Sequence, residues 1–84
     1  MKEQTFISIF EDANGRTVDF ERWADKRLST VKRKVFLLYK KYPFMLRDIT
    51  KKAVKLAIYQ TEASGKHMNT AYECDMQEFL SKIA

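Results

Sequence analysis

Residues that cross-link, ligate or react are scarce in this chain. Its 84 residues include two glycines, one proline, one cysteine and one histidine. One cysteine forms no disulfide within the chain, whereas small secreted domains commonly depend on several. A structural zinc ion takes about four nitrogen or sulfur ligands, more than Cys74 and His67 supply. Two separate glycines do not form a glycine-rich phosphate loop. We therefore expect no metal site, no cofactor and no catalytic residue.

Long apolar runs are also missing. No stretch approaches the roughly 20 apolar residues that cross a bilayer, so we expect no membrane span. Residues 1–10, MKEQTFISIF, lack the apolar core of a signal peptide and are typical of a strand. With 45% hydrophobic and 13% aromatic residues the composition is that of a globular protein. These features predict a cytoplasmic protein.

Positive charge is concentrated in the middle of the chain. Residues 1–21 carry two basic and five acidic side chains, a net charge of −3. Residues 22–55 carry twelve basic and two acidic side chains, a net charge of +10, and residues 56–84 carry −2. A protein polarised in this way attracts polyanions to one side.

The residue pattern predicts a single α+β domain, residues 1–84, in which a small, mostly antiparallel sheet packs on one long helix. β-branched and aromatic residues indicate strands near 5–11, 54–61 and 70–74. Asn14 and Gly15 predict a turn after the first strand, followed by a short strand at 16–18 that completes a hairpin.

The long helix is predicted over about 20–42. Asp19 is typical of an N-cap, and Val18 and Trp23 have the spacing of a hydrophobic staple. Pro43 ends the helix. Apolar residues recur with the helical period at Phe20, Ala24, Leu28, Val31, Val35, Leu38 and Tyr42. A helix of this extent is about 34 Å long.

Residues 45–60 fit two patterns. The spacing of Leu46, Ile49 and Ala53 fits a helix, whereas the alternation that follows them fits a strand. We predict a short helical turn near 45–52 and then the strand at 54–61.

A short helix over about 76–83 is predicted to follow the strand at 70–74, after a loop at 63–69. Asp75 with Glu78 three residues later resembles a capping box for this helix. Its inward-facing residues are predicted to be Met76, Phe79, Leu80 and Ile83.

On the long helix, basic side chains are predicted to lie opposite the apolar stripe. At roughly 100° per residue, the positions facing away from the core are Arg22, Lys26, Arg33 and Lys40. Lys34 and Lys41 lie on one shoulder. The four residues that face away from the core have almost no acidic partner beyond Asp25, although helix surfaces commonly pair Glu with Lys. A surface whose charges are almost all positive predicts an anionic ligand.

A second basic cluster follows Pro43. Its members are Arg47, Lys51, Lys52 and Lys55. If this cluster lies beside the long helix, the two clusters form one positive surface; if it lies across the sheet, they are separate.

Trp23 and Leu37 project away from the apolar stripe, and each has two interpretations. Trp23 either packs on Val18 or is an exposed aromatic that stacks on a base or anchors a partner. Leu37 either packs under the loop after Pro43 or forms a homodimer seam with Thr30 and Lys34.

The charge pattern predicts a non-enzymatic binding domain that engages nucleic acid, or a nucleic-acid-bound complex, through residues 22–41. A solvated face, an acidic protein surface and an anionic membrane are the alternatives. In size and in lacking catalytic motifs the chain resembles small phage and mobile-element proteins, anti-CRISPR inhibitors among them. That resemblance implies a protein-interaction module that binds a host complex, and it assigns no residues.

Overall fold

A computed structural model of the chain describes residues 4–61 and 68–84, which form a four-stranded antiparallel sheet and three α-helices. The strands are β1 (Gln4–Glu11), β2 (Thr17–Asp25), β3 (Lys55–Thr61) and β4 (Met68–Asp75). The helices are α1 (Leu28–Lys41), α2 (Leu46–Lys52) and α3 (Met76–Ile83), with a 3₁₀ turn, Pro43–Met45, between α1 and α2. The strand order is β2-β1-β3-β4. The predicted α+β class is confirmed.

A tight turn joins β1 to β2, as the Asn14-Gly15 pair predicted. The Asp12 carboxylate accepts hydrogen bonds from the backbone N–H groups of Asn14 and Arg16, each at 2.9 Å. Gly15 has φ of +79°, a conformation that glycine adopts without steric cost. The chain is thereby reversed, and β2 pairs along the whole length of β1.

The predicted start of the long helix is wrong. Residues 17–25 form β2, and α1 begins only at Leu28. The helix is therefore about 21 Å long rather than about 34 Å. Asp19 lies within the strand and caps no helix, and Val18 and Trp23 form no staple.

Extension of the predicted hairpin explains this error. Phe20 and Ala24 fit the helical period, but they also share one face of a strand, because alternate residues do so. The tight turn places this segment against the edge of β1, where the backbone groups of both strands are paired. The pattern within residues 20–25 alone does not reveal that partner strand.

All three helices pack on one face of the sheet. The strand residues buried on that face include Phe6, Phe10, Leu56, Ile58 and Cys74. They form one core with Val31, Val35 and Tyr39 of α1 and with Phe79 of α3. The ring centroid of Phe79 lies 5.5 Å from that of Phe10 and 5.9 Å from that of Tyr39.

The buried stripe of α1 differs in part from the predicted one. Val31 and Val35 are buried as predicted, and Tyr39 is buried in addition. Phe20 is 52% exposed and Tyr42 40% exposed, although both were predicted to face the core. Tyr42 lies just after the last residue of the helix. Phe20 lies on the face of the sheet that points away from the helices.

The second half of the chain follows its prediction closely. Helix α2 and strand β3 match the short helical turn and the strand predicted after Pro43. Strand β4 is longer than the predicted 70–74, and the loop predicted at 63–69 lies mostly outside the described residues. Helix α3 covers the predicted 76–83, and the Asp75 carboxylate accepts a hydrogen bond from Glu78 N at 2.7 Å. Leu80, predicted to face inward, is 37% exposed. Within the described part of the chain, no helix has the length and apolarity that crossing a membrane requires.

Replacing Phe79 tests the core. Phe79 is fully buried among aromatic rings, so Phe79→Ala is expected to lower the free energy of unfolding by about 3–5 kcal/mol. The loss is measurable by urea denaturation followed by circular dichroism. Leu80→Ala, on the exposed side of the same helix, is the control, with an expected loss below about 1 kcal/mol. Equal losses in the two variants would contradict this placement of the core.

Candidate nucleic-acid interface

The outer face of α1 is cationic along its length. Its fourteen residues include five basic side chains and no acidic ones. Because Val31, Val35 and Tyr39 face the sheet, the helical repeat turns Arg33 and Lys40 away from the core. Both side chains are exposed. This part of the predicted basic face is therefore present.

A groove runs between α1 and α3. It has a volume of about 380 Å³. Its lining combines basic and apolar side chains: Ser29, Lys32, Arg33, Phe36, Leu37, Lys40, Lys82 and Ile83. Leu37 is 55% exposed and does not pack under the segment after Pro43. An extended anionic chain with apolar groups matches a lining of this kind.

A second pocket continues the groove toward α2. It has a volume of about 330 Å³ and is lined by residues from α1, α2 and α3, among them Lys40, Arg47, Thr50 and Leu80. Lys40 and Ile83 line both cavities. We call the two cavities together the basic groove. The second basic cluster thus begins beside the helical one, since Lys40 and Arg47 share one cavity.

Ion pairing separates the basic side chains into two groups. Four lysines lie within 4.0 Å of a carboxylate oxygen; the pairs are Lys34–Asp25, Lys51–Asp48, Lys55–Glu73 and Lys82–Glu78. No described acidic side chain lies that close to Arg33, Lys40 or Arg47. The same holds for Lys32, Lys41 and the other described basic residues outside the four pairs, so position in the groove, rather than the lack of an acidic partner, distinguishes Arg33, Lys40 and Arg47.

The Lys34–Asp25 pair joins the end of β2 to α1. Lys34 Nζ donates to Asp25 Oδ2 at 2.7 Å, and Lys26 N donates to Asp25 Oδ1 at 2.7 Å. The hydrogen bond from Lys34, supported by the one from Lys26, lowers the pKa of Asp25 below its ordinary value. Lys34 is thus partly neutralised within the fold and is a weaker candidate for ligand binding than Arg33.

Arg22 and Lys26 do not belong to the helix face, contrary to the prediction. Arg22 lies in β2 opposite Ile7, on the sheet face away from the helices. Lys26 lies between β2 and α1. Both are exposed, but a single straight row from Arg22 to Lys40 does not exist, because a strand replaces the first turns of the predicted helix.

The remaining predicted residues are divided between the groove and its surroundings. Lys41 ends α1 beside the groove, and Lys51 and Lys52 end α2. All three are exposed. Lys55 lies on β3 opposite Glu11, on the sheet face away from the helices. The second cluster therefore splits, with only Arg47 lining the groove.

Trp23 has a structural role. It is half-buried against the core, and its Nε1 donates a hydrogen bond to Ser8 Oγ at 2.9 Å. Ser8 is buried in the middle of β1. This contact replaces the predicted packing on Val18 and leaves the indole only partly accessible to a ligand.

Sequence reasoning missed two lysines of the groove. Lys32 Nζ lies 3.9 Å from the ring centroid of Tyr72, and Lys82 Nζ donates to the Tyr72 hydroxyl at 3.3 Å. This hydrogen bond raises the pKa of Lys82 above its ordinary value. The sequence could have indicated Lys32, because it is the first basic residue of the KRK run at 32–34. Nothing in the sequence pattern indicated Lys82, because only the packing of α3 beside α1 places it in the groove.

Tyr39 forms part of the wall of the second pocket. Burial, reinforced by the charges of Asp19 and Glu21 on β2, raises the pKa of Tyr39 to about 12. Its hydroxyl is therefore uncharged at neutral pH. Among the residues that the structure describes, no three His, Cys, Asp or Glu side chains are grouped closely enough to hold a metal ion.

Comparison of the chain with protein-family models, with curated proteins and with solved structures finds no match. The function is therefore inferred from the geometry and charge of the surface.

A double-mutant cycle tests the role of Trp23. Trp23→Phe removes the hydrogen bond to Ser8 and is expected to lower the free energy of unfolding by about 1 kcal/mol from that bond, with a further loss from the smaller ring. Ser8→Ala, alone and combined with Trp23→Phe, isolates the bond, since its contribution cannot be lost twice. Urea unfolding followed by circular dichroism measures all four proteins. Additive losses would show that the bond contributes nothing to stability.

Proposed function

We propose that this chain is a non-enzymatic domain that binds nucleic acid, or a nucleic-acid-bound complex, through the basic groove. The main support for this proposal is the position of three cations. Arg33, Lys40 and Arg47 are exposed along adjoining cavities, with no described carboxylate within ion-pair distance of any of them. Neighbouring cations repel one another unless an anion lies between them, and a phosphate backbone supplies a row of such anions.

The spacing of these cations suits a phosphodiester chain. Arg33 and Lys40 are seven residues apart on α1, a rise of about 10 Å. Phosphates of one duplex strand follow one another at about 3.4 Å along the helix axis, so two such contacts bracket a few nucleotides. Lys41 extends the row at the end of α1, and Arg47 extends it onto α2.

The lining of the groove supports binding rather than catalysis. Its described side chains are basic, apolar or hydroxyl-bearing, and none is a carboxylate, a histidine or a cysteine. General acid–base or nucleophilic catalysis at neutral pH depends mostly on groups of those kinds. The arrangement holds an anion without a group that would attack it.

Exposed apolar residues favour a second candidate function, a protein-interaction module. Leu37 is 55% exposed and Leu80 37% exposed, and both line the basic groove. An acidic amphipathic segment of a partner protein would match this combination of apolar and basic side chains. An inhibitor that occupies the nucleic-acid-binding site of a partner protein would be one such module. Affinity capture from cells, with and without nuclease, separates this candidate from the first, since a directly bound protein partner is retained after nuclease treatment.

Neutralising two groove cations tests the main proposal. Arg33→Gln combined with Lys40→Gln is expected to flatten the slope of log K against log salt by about 1.8 on duplex DNA or about 1.4 on a single strand, since each phosphate contact contributes about −0.9 or −0.7. Fluorescence anisotropy of a labelled oligonucleotide, titrated at several salt concentrations, measures the slope. Circular dichroism verifies that the variant is folded.

The matched control is Lys34→Gln combined with Lys55→Gln. It changes the net charge equally but removes lysines that are already paired with Asp25 and Glu73. The slope of this control is expected to stay near that of the wild-type protein. A groove variant whose slope equals the wild-type slope would refute the role of Arg33 and Lys40 as phosphate contacts.

A further inference from the structure

An exposed aromatic pair lies at the junction of α1 and α2. Phe44 is 73% exposed, the highest value among the large apolar side chains that the structure describes, and Tyr42 is 40% exposed. Their ring centroids are 6.0 Å apart with an interplanar angle of 77°. We call this pair the aromatic corner. Burying a phenylalanine ring is favourable, so a ring this exposed retains stacking surface for a ligand.

Hydrogen bonds and a proline restrict the backbone of the corner. Tyr42 N donates to Leu38 O at 2.9 Å, and Met45 N donates to Tyr42 O at 3.0 Å. Pro43, at the first position of the 3₁₀ turn, restricts φ further. The backbone that carries the two rings is thus fixed to α1 by hydrogen bonds and restricted by proline, which lowers the entropy cost of ordering the turn when a ligand binds.

Cations flank the corner on both sides. Lys40 and Lys41 end α1 immediately before Tyr42, and Arg47 follows in α2. Lys41 Nζ lies 5.4 Å from the Tyr42 ring centroid. Asp48, the acidic residue of α2, lies 3.6 Å from Lys51. Aromatic rings next to unpaired cations are the usual elements of single-strand binding, in which bases stack while phosphates meet lysine and arginine.

We infer that the aromatic corner binds an unpaired base of a single-stranded nucleic acid, which stacks on Phe44 while the adjoining phosphates contact Lys40, Lys41 and Arg47. The inference rests on the proposed function and assigns it a ligand class. In a duplex both faces of each base are already stacked, so Phe44 would reach one only at the cost of unstacking. The strand then follows α1 into the basic groove, where Arg33 lies about 10 Å from Lys40 along the helix.

An anionic membrane is a less suitable occupant. A membrane surface would contact the projecting corner, whereas the cations extend from the corner along the shallow groove between α1 and α3, where Lys32 and Lys82 lie. A flexible strand can follow this curved path from the corner into the groove.

Two single-stranded oligonucleotides of equal length, one with bases and one without, provide the test. Fluorescence anisotropy compares a ~12-nucleotide single strand with an abasic strand of equal length and charge, a length within the range that single-strand-binding modules cover. Separate DNA and RNA arms identify which sugar is preferred. The wild-type protein is expected to bind the base-containing strand more tightly than the abasic strand in at least one arm.

Phe44→Ala is expected to weaken binding to the base-containing strand by about 5- to 150-fold, the range for losing one stacked base, and to leave abasic binding unchanged. The salt slope is expected to stay constant, since the phosphate contacts are retained. Phe20→Ala is the matched control. It makes the same change at a ring that is 52% exposed on the opposite face of the sheet, and it is expected to preserve the preference for bases.

Distinct results overturn the inference and the proposed function. Equal wild-type affinity for the two strands, or an unchanged preference in Phe44→Ala, overturns base stacking at the corner while the groove proposal stands on its own salt slopes. Absence of wild-type binding to every oligonucleotide refutes the inference and the direct binding of nucleic acid by the groove; a nucleic-acid-bound complex as the ligand is then refuted if affinity capture from cells retains the same proteins with and without nuclease. Binding of the wild-type protein to phosphatidylserine vesicles that Phe44→Ala abolishes, with oligonucleotide binding intact, would assign the corner to a membrane instead.

Discussion

Packing of Tyr39 against both Phe10 and Phe79 orients the basic surface of α1. The Tyr39 ring lies 5.1 Å from Phe10 and 5.9 Å from Phe79, edge to face in both contacts. With one side of α1 held against the sheet in this way, the helical repeat directs Arg33 and Lys40 outward. The same contacts hold α3 beside α1, which forms the groove. If this aromatic cluster were lost, the cations would remain in the chain but would no longer share a surface.

Three features of the fold offset part of the repulsion within α1. Lys40 and Lys41 lie in its last turn, where the helix dipole favours positive charge. Lys34 is paired with Asp25, and Lys32 lies over the ring of Tyr72. Arg33 has none of these compensations among the described residues. Arg33 therefore carries the least compensated charge of α1.

Local rules predicted most of the fold. The Asn14-Gly15 turn, the break at Pro43 and the Asp75 cap each depend on a few adjacent residues, and each was predicted correctly. Residues 20–25 were predicted wrongly, because their apolar spacing fits a helix and a strand equally well. Hydrogen bonding to β1 decided between the two: the predicted hairpin with residues 16–18 continues to Asp25, and the apolar spacing of residues 20–25 does not show how far that pairing extends.

The candidate site also has some features that the sequence predicted and others that depend on packing. Composition and helical periodicity determined that the middle of the chain is cationic and that Arg33 and Lys40 face away from the core, because both properties follow from covalent order and the repeat of one helix. Only the tertiary structure decided that Arg22 is separated from them, that Lys82 and Arg47 join them, and that Phe44 is left exposed between two helices. These relations depend on which elements pack together, and that packing is set by burial of apolar surface over the whole chain.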